Sequence, residues 1–328
     1  MDVSFTNYTE FGIHNTGVRY TWALYHFVII LSSLIGDSVI LVASIKYNAF
    51  KLHKAIVAIM QHLAVCDIIS SLTLIHNLIS TIAGWNILGS FFCYAHAYIT
   101  YYCFPTSFCL TAALTTTKAL MLQFPFQGSG WTKMRAHLVC GGIWIYSLSL
   151  PLLMFSIDEY DVIFDYQKYT CYYKFSSDPA WKFWLPVSLF LSTMLPTIIV
   201  IVTTVWLIIQ AKKVVRRNRD TLRWQGLTTV ILTAVVYCLS VLPITVYYFA
   251  GDYVKFHLYF FRFSASVVFI TVVANFFIYS LTVNSFREFL FSRLTLLRKS
   301  VCGGIPESLG EQKKATKTPR GQRSDTLV

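Results

Sequence analysis

Residues 183–211 read FWLPVSLFLSTMLPTIIVIVTTVWLIIQA, 29 consecutive positions without an aspartate, glutamate, lysine or arginine. A helix needs about 20 apolar residues to cross a hydrocarbon core about 30 Å thick. Nothing in that core hydrates a charge or an unpaired backbone group, so a charge-free run of this length reads as a membrane span. The same reading applies to residues 91–117, 136–157, 224–251 and 263–286, all free of charge, and to 22–45 and 55–83, which carry one acid each, Asp37 and Asp67. A single run of this kind could be the core helix of a soluble protein. Seven, together more than half of the 328 residues, predict an all-α membrane protein with seven transmembrane helices. The composition agrees: 55% of residues are hydrophobic and 13% charged, against about 25% charged in a soluble chain. Disorder and an ordinary water-soluble enzyme are both excluded.

Seven spans place the two termini on opposite sides, and charge decides which is which. One set of connections (residues 46–54, 118–135, 212–223 and the tail from 287) holds 21 Lys/Arg and five acids. The other holds six Lys/Arg and eight acids, with Asp158, Glu159, Asp161 and Asp165 clustered. Cationic loops stay in the cytoplasm, so the amino terminus is predicted outside and the carboxyl terminus inside. The formal net charge of +12 is therefore read as an orientation signal and not as a nucleic-acid footprint. The sequon Asn7-Tyr8-Thr9 falls on the predicted outer side as a glycosylation acceptor. Residues 1–20 lack the apolar centre of a cleavable signal peptide, so the first helix is expected to direct its own insertion.

Of eight cysteines, five (Cys66, Cys103, Cys109, Cys140 and Cys238) lie inside predicted spans, where a thiol packs as a small apolar group. Cys93, at the outer edge of the third span, and Cys171, in the long outer loop, face an oxidising compartment; a Cys93–Cys171 disulfide would pin the acidic loop over the bundle mouth. Cys302 follows an amphipathic stretch after the last span, a position that suits palmitoylation.

Several motifs then occur in order. Leu63-Ala64-Val65-Cys66-Asp67 matches Leu-Ala-x-x-Asp; Trp144, Pro196 and Pro243 stand in the fourth, fifth and sixth spans; Asn275-Phe276-Phe277-Ile278-Tyr279 is similar to Asn-Pro-x-x-Tyr. Phe286-Arg287-Glu288-Phe289 looks like the start of a short amphipathic eighth helix, and Trp85 and Gly89 precede Cys93. Together these resemble the rhodopsin-like (class A) G-protein-coupled receptors over residues 20–300. The resemblance implies an outer tail (1–20), a seven-transmembrane receptor domain with helix eight (21–300) and a cytoplasmic tail (301–328). It implies a plasma-membrane receptor, not an enzyme, that binds an extracellular ligand and signals to a heterotrimeric G protein, with arrestin and membrane lipids as further partners.

The chain departs from the family pattern where the family switches. Thr117-Lys118-Ala119 stands for Asp-Arg-Tyr, although Pro125 matches the proline that follows. Lys118 keeps a cation without the planar fork that makes arginine a bidentate partner. Val241 replaces the tryptophan before Pro243, Ser240 the cysteine beside it, Phe276 the proline after Asn275, and Asp37 the first-span asparagine. Arg223 occupies a position where the family often has an acid. Lys118, Pro125, Arg223, Pro243, Asn275 and Tyr279 are accordingly the expected switch and coupling positions.

By resemblance Asp67, Ser107 and Asn275 match the family's sodium pocket, and Asp37 adds a second carboxylate. Two such acids either share a cation or share a proton in a hydrogen-bonded knot. The ligand cavity is expected between the outer halves of the helices. Transferred positions are Asn77 on the second span and His96, Thr100, Tyr101 and Phe104 on the third. Ser188 and Ser192 come from the fifth, Thr245 and Tyr248 from the sixth, and Phe261 and Ala265 from the seventh. Aminergic receptors need an acid where Thr100 stands, and opsins a lysine where Phe269 stands. A monoamine ligand and retinal are both excluded on that ground. The tail ends Asp325-Thr326-Leu327-Val328, a form that PDZ domains take up by strand addition. The competing reading is a small-molecule or proton-coupled transporter using Asp37 and Asp67, against which stands the lack of internal repeats. The eight histidines show no His-x-x-x-His pairing, which argues against an intramembrane metallohydrolase.

Overall fold

Each charge-free run forms helix. The first four are α1 (Thr16–Ile45), α2 (Lys54–Ala83), α3 (Gly89–Gln123) and α4 (Lys133–Phe155). A hairpin of β1 (Asp161–Asp165) and β2 (Thr170–Lys174) follows, then α5 (Leu195–Val215) and α6 (Thr221–Ala250). The seventh run is divided into α7 (Leu258–Val268) and α8 (Ile270–Thr282), and α9 (Asn284–Cys302) follows it. The computed structural model describes residues 16–47, 50, 53–123, 132–155, 161–165, 169–174, 186–215, 221–250 and 258–302. The chain divides into a unit ending at Arg287 and a second from Glu288; α9, 19 residues long, crosses that boundary.

Burial is inverted relative to a soluble protein. Ile145 and Leu281 are 73% and 70% exposed, whereas Asp37 and Asp67 are 0% exposed. An exterior of leucine, isoleucine and phenylalanine around buried serines, threonines and acids is what lipid as solvent selects. Among the described residues six helical segments are long and apolar enough to cross a membrane by length and composition. The remaining span, the third, is α3, 35 residues long but more polar. Its position explains the difference. It touches α2, α4, α5, α6 and both strands, so Thr106, Ser107, Thr111, Thr115 and Thr117 are buried against protein instead of lipid.

Local sequence sets where the helices bend and stop. α2 ends at Gly84, whose φ of 81° is left-handed and whose N–H donates to Ser80 O at 2.8 Å, a conformation glycine adopts without steric cost. The segment before α5 takes a π turn at Phe190–Met194. Pro196, just beyond it, has no N–H, and the Tyr146 hydroxyl on α4 donates to the Leu191 carbonyl at 3.1 Å. The seventh span breaks at Phe269, where Phe269 N–H donates to Ser266 O at 3.1 Å and Val272 N–H to Phe269 O at 3.2 Å. Trp144 on α4 donates from Nε1 to His62 Nδ1 on α2 at 3.2 Å. His62 must then carry its proton on Nε2, which faces His137 Nδ1 at 2.9 Å.

Candidate functional site

At one end of the bundle Cys93, on α3, is joined to Cys171, on β2, with their Cα atoms 5.3 Å apart. The acidic segment that reads as a loop in the sequence is an antiparallel hairpin, with Phe164 opposite Cys171 and Asp165 opposite Thr170. Its alternation is hidden because the strands are short: Val162 in β1 and Cys171 in β2 are buried, with Tyr169 buried just before β2. Tyr169 adopts φ 51°, and its N–H donates to Asp165 O at 2.7 Å. A bulky residue in the left-handed region holds strain, and here it lies directly over the cavity described next.

Beneath the hairpin is a cavity of about 220 Å³ lined by α1 to α4, the segment before α5, α6 and α7. Asn77, His96, Thr100, Tyr101, Phe104, Ser188, Ser192, Thr245 and Ala265 line it together, drawn from five of the seven spans. Tyr248 lies in α6 and Phe261 in α7, and their side chains fall outside the described residues. The cavity also has walls that the sequence did not single out. Trp22 and His26 project from α1, and Pro105 and Phe108 from α3. Leu150 and Pro151 come from α4, and Tyr169, Thr170 and Tyr172 from the hairpin. Trp22 and His26, four residues apart in an apolar span, carried a helical-face signal; the hairpin residues carried none. Burial pushes the Tyr172 phenol above its ordinary value, with Asp165 and Tyr247 adding to the effect, so it meets the cavity as a neutral hydroxyl.

The floor is aromatic. Phe104 packs against Phe108 and Phe269 with ring centroids 6.0 and 5.2 Å apart. Val241, standing where the family has its tryptophan, is fully buried in a cluster with Phe108, Val200, Ala234, Tyr237 and Val268.

Below this lies the acid pair. Asp67 accepts from Ser107 Oγ on Oδ1 and from Asn275 Nδ2 on Oδ2, each at 3.0 Å. Asp37 accepts from Ser33 Oγ at 2.7 Å, and Ser33 Oγ lies 2.6 Å from Ser71 Oγ, which also approaches Asp67 O at 2.8 Å. Serines 33 and 71 thus connect the Asp37 carboxylate to the main-chain carbonyl of Asp67. Asp37 Oδ1 is buried without a partner. Two carboxylates and three hydroxyls form an oxygen-rich set suited to a hard cation, and the free oxygen of Asp37 is an acceptor that a cation or a proton would satisfy.

At the far end Lys118 is buried at 7% exposure, its Nζ 4.9 Å from the centroid of the Tyr279 ring. The cation of α3 and the tyrosine of α8 therefore meet face-on, while the Tyr279 hydroxyl is buried without a partner. Pro243 lies within α6. Pro125, Asn7 and Thr326-Leu327-Val328 fall outside the described residues; Arg223 and Cys302 are placed in α6 and α9, without their side chains.

A family model described as the 7 transmembrane receptor (rhodopsin family) matches residues 36–286. Among solved structures the fold is similar to squid rhodopsin, with a TM-score of 0.73 and 15% identity over 89% of each chain. No curated protein sequence matches the chain.

Proposed function

The chain belongs to the rhodopsin family of seven-transmembrane receptors, and from that premise we propose a plasma-membrane receptor that takes an extracellular ligand into the cavity beneath the hairpin and signals to a heterotrimeric G protein. The amino terminus is outside, so the disulfide end faces the ligand and the Lys118 end faces the cytoplasm. The observation that carries this reading is the convergence of nine residues from five spans on one cavity. A pocket walled mostly by apolar and aromatic groups, with a few convergent polar ones, is the physical form of a small-ligand site. A ligand that prefers one arrangement of the helices shifts the population toward it. Lys118 and Tyr279, which bind α3 to α8 across the opposite end, are the contact such a shift would alter, with Arg223 and Pro125 on the coupling surface and Pro243 and Asn275 as hinge positions.

Asp67, Ser107 and Asp37 are the residues that would hold a sodium ion. Bound there, the ion would neutralise charge between α1, α2 and α3 and restrain their relative movement. Asn7 is proposed as a glycan site, Cys302 as a palmitoylation site, and the last three residues as a ligand for a PDZ scaffold; arrestin would share the cytoplasmic surface. The transporter alternative has no support in family or fold.

The test is nucleotide exchange. Purified full-length protein in lipid nanodiscs is combined with each class of G-protein α-subunit, with and without members of a ligand library. Exchange that rises with a library compound supports the reading. Surface expression without exchange on any α-subunit class, with or without compounds, overturns it.

A further inference from the structure

Three histidines gather under the hairpin, one from each of the first three helices. His76 on α2 and His96 on α3 are both buried, and their rings stack with centroids 5.0 Å apart and planes inclined by 21°. His26 on α1 is close enough for its charge to act on His96, as does that of His76. The two stacked rings also meet the hairpin. His96 Nδ1 lies 3.0 Å from Thr73 O and must carry a proton to bond there. Its Nε2, 3.3 Å from Thr170 Oγ1, is then the acceptor. His76 Nε2 lies 3.9 Å from Cys171 Sγ, and the ring is hydrogen-bonded to Asn77 and to Asn86 in the loop after α2. A disulfide sulfur carries no hydrogen, so His76 holds its proton on Nε2 for that contact. Each stacked ring therefore keeps one nitrogen able to take a proton, Nε2 on His96 and Nδ1 on His76.

We propose that protons are a ligand of this receptor: His26, His76 and His96 form an acid-sensing site at the outer end, and charging the stacked pair drives the hairpin off the helix ends and opens the cavity mouth. This rests on the reading that the disulfide end faces the outer medium. The first proton is accommodated. Taken up at His96 Nε2, it leaves the bond to Thr73 O in place and requires only that the Thr170 hydroxyl turn from donor to acceptor. The second is opposed by the first, because two like charges then face each other across the stack in a buried place where water screens little. Charged rings also seek water. The contacts that yield are the long ones to the hairpin, at 3.3 and 3.9 Å, whereas His96 stays tied to α2 at 3.0 Å. The closed arrangement is thus favoured while the rings are neutral and is lost as they charge on acidification, and histidine is the side chain that changes charge between about pH 5 and 8. A metal ion does not fit in the proton's place: stacked rings hold their nitrogens in parallel planes, and among the described residues no three ligating groups converge. Other titratable groups on the packed elements include Arg19, near Gly84, Tyr25, whose ring is 5.8 Å from that of His26, and Asp165, Tyr169 and Tyr172 in the hairpin. Beyond Asp67 in α2 and before Lys118 in α3 there is no further Asp, Glu, Lys or Arg.

The experiment reads the hairpin directly. Full-length protein in nanodiscs is treated with tris(2-carboxyethyl)phosphine, which reduces disulfides in acid as well as at neutral pH, and alkylated Cys171 is counted by mass spectrometry. Rates are normalised to oxidised glutathione in the same buffer. Between about pH 8 and about pH 5.5 the normalised rate is expected to rise at least about fivefold. His76→Phe keeps a stacked ring that takes no proton, and His96→Gln keeps a donor for Thr73 O; each is expected to remove the rise, since the repulsion needs both charges. In parallel, the medium of cells expressing the protein is acidified, which leaves the cytosolic G protein at its own pH, and a second-messenger response is expected that His76→Phe abolishes. No rise in the wild type, a rise that either variant retains, or a cellular response that His76→Phe retains, overturns the proposal. A rise that both variants remove, without any cellular response, keeps the proton site and counts against the outer orientation or the coupling on which its signalling role rests. Variants are checked for monodisperse elution, and where one does not fold the other carries the test.

Discussion

Two buried carboxylates of the same type are not equivalent, and hydrogen-bond donors make the difference. Both Asp67 oxygens receive a donor, from Ser107 and Asn275. Asp37 receives one, from Ser33, and keeps an unpartnered oxygen. A charged acceptor with two donors is stabilised, and removing it strands both of them. Asp67→Asn is therefore expected to lower stability by about 1–3 kcal/mol, and Asp37→Asn to leave it level or raise it, in thermal unfolding of the purified protein. Replacing sodium chloride by choline chloride in the same assay separates ion from proton: a shared sodium ion makes the wild-type Tm fall and the Asp37→Asn Tm stay level. At the other end, Lys118 faces the Tyr279 ring. Lys118→Met keeps the aliphatic stem and removes the cation, and is expected to cost about 0.5–2 kcal/mol as a buried cation–π contact. Lys118→Ala is expected to reduce G-protein exchange as well; unchanged exchange would end the idea that this lysine takes the place of the family's arginine.

At the scale of elements, one departure from the family pattern, Phe276, is packed closely against α1. Phe276 stands where the family has a proline, and α8 still passes close to α1 because the neighbour there is Gly36. A Cβ at that position would lie 2.8 Å from Phe276 Cβ and 2.9 Å from its Cγ. Gly36→Ala is expected to cost about 1–3 kcal/mol as overpacking, and Gly36→Ala with Phe276→Ala to recover most of it, measured as Tm. The hairpin offers a second test. It is tied to α3 by the Cys93–Cys171 bridge, which closes a separation of 78 residues. Serine at both positions is expected to speed backbone hydrogen exchange in β1 and β2 while leaving α1 and α2 protected. Helices were legible in the sequence because lipid demands long charge-free runs, and nine cavity positions because the family resemblance, anchored by Leu63–Asp67, Cys93, Pro196, Pro243 and Asn275–Tyr279, transfers them. The hairpin was not legible: two five-residue strands with acids among them give no period a reader could separate from a loop. The π turn before Pro196 and the break at Phe269 were equally hidden. They depend on which neighbour supplies a bond, such as Tyr146 donating to Leu191 O, and that is a tertiary fact.

At the scale of the whole molecule the governing quantity is where charge resides. Lipid around the helices tolerates Asp37 and Asp67 only because both are fully buried. The remaining charges divide between the two ends, with 21 Lys/Arg and five acids in one set of connections and six Lys/Arg and eight acids in the other. Cations near span ends are held back from translocation, whereas acids contribute little; a difference of 21 against six therefore sets one orientation. An epitope placed before Asp2 is expected to be labelled on intact cells, and one placed after Val328 only after permeabilisation. Asn7→Gln is expected to remove a glycan-sized shift that glycosidase also removes. The reverse labelling pattern would refute the orientation and, with it, the assignment of the hairpin cavity to the ligand side. The charge argument is itself testable. Converting Lys212, Lys213, Arg216, Arg217, Arg219 and Arg223 to serine removes six of the 21 cations and leaves 15, still an excess over six. Insertion is therefore expected to keep its direction, while exchange on the G protein is expected to fall because the lost charges belong to the proposed docking face. Loss of both together would mean that this loop alone orients the chain, and preserved exchange would remove it from the coupling surface.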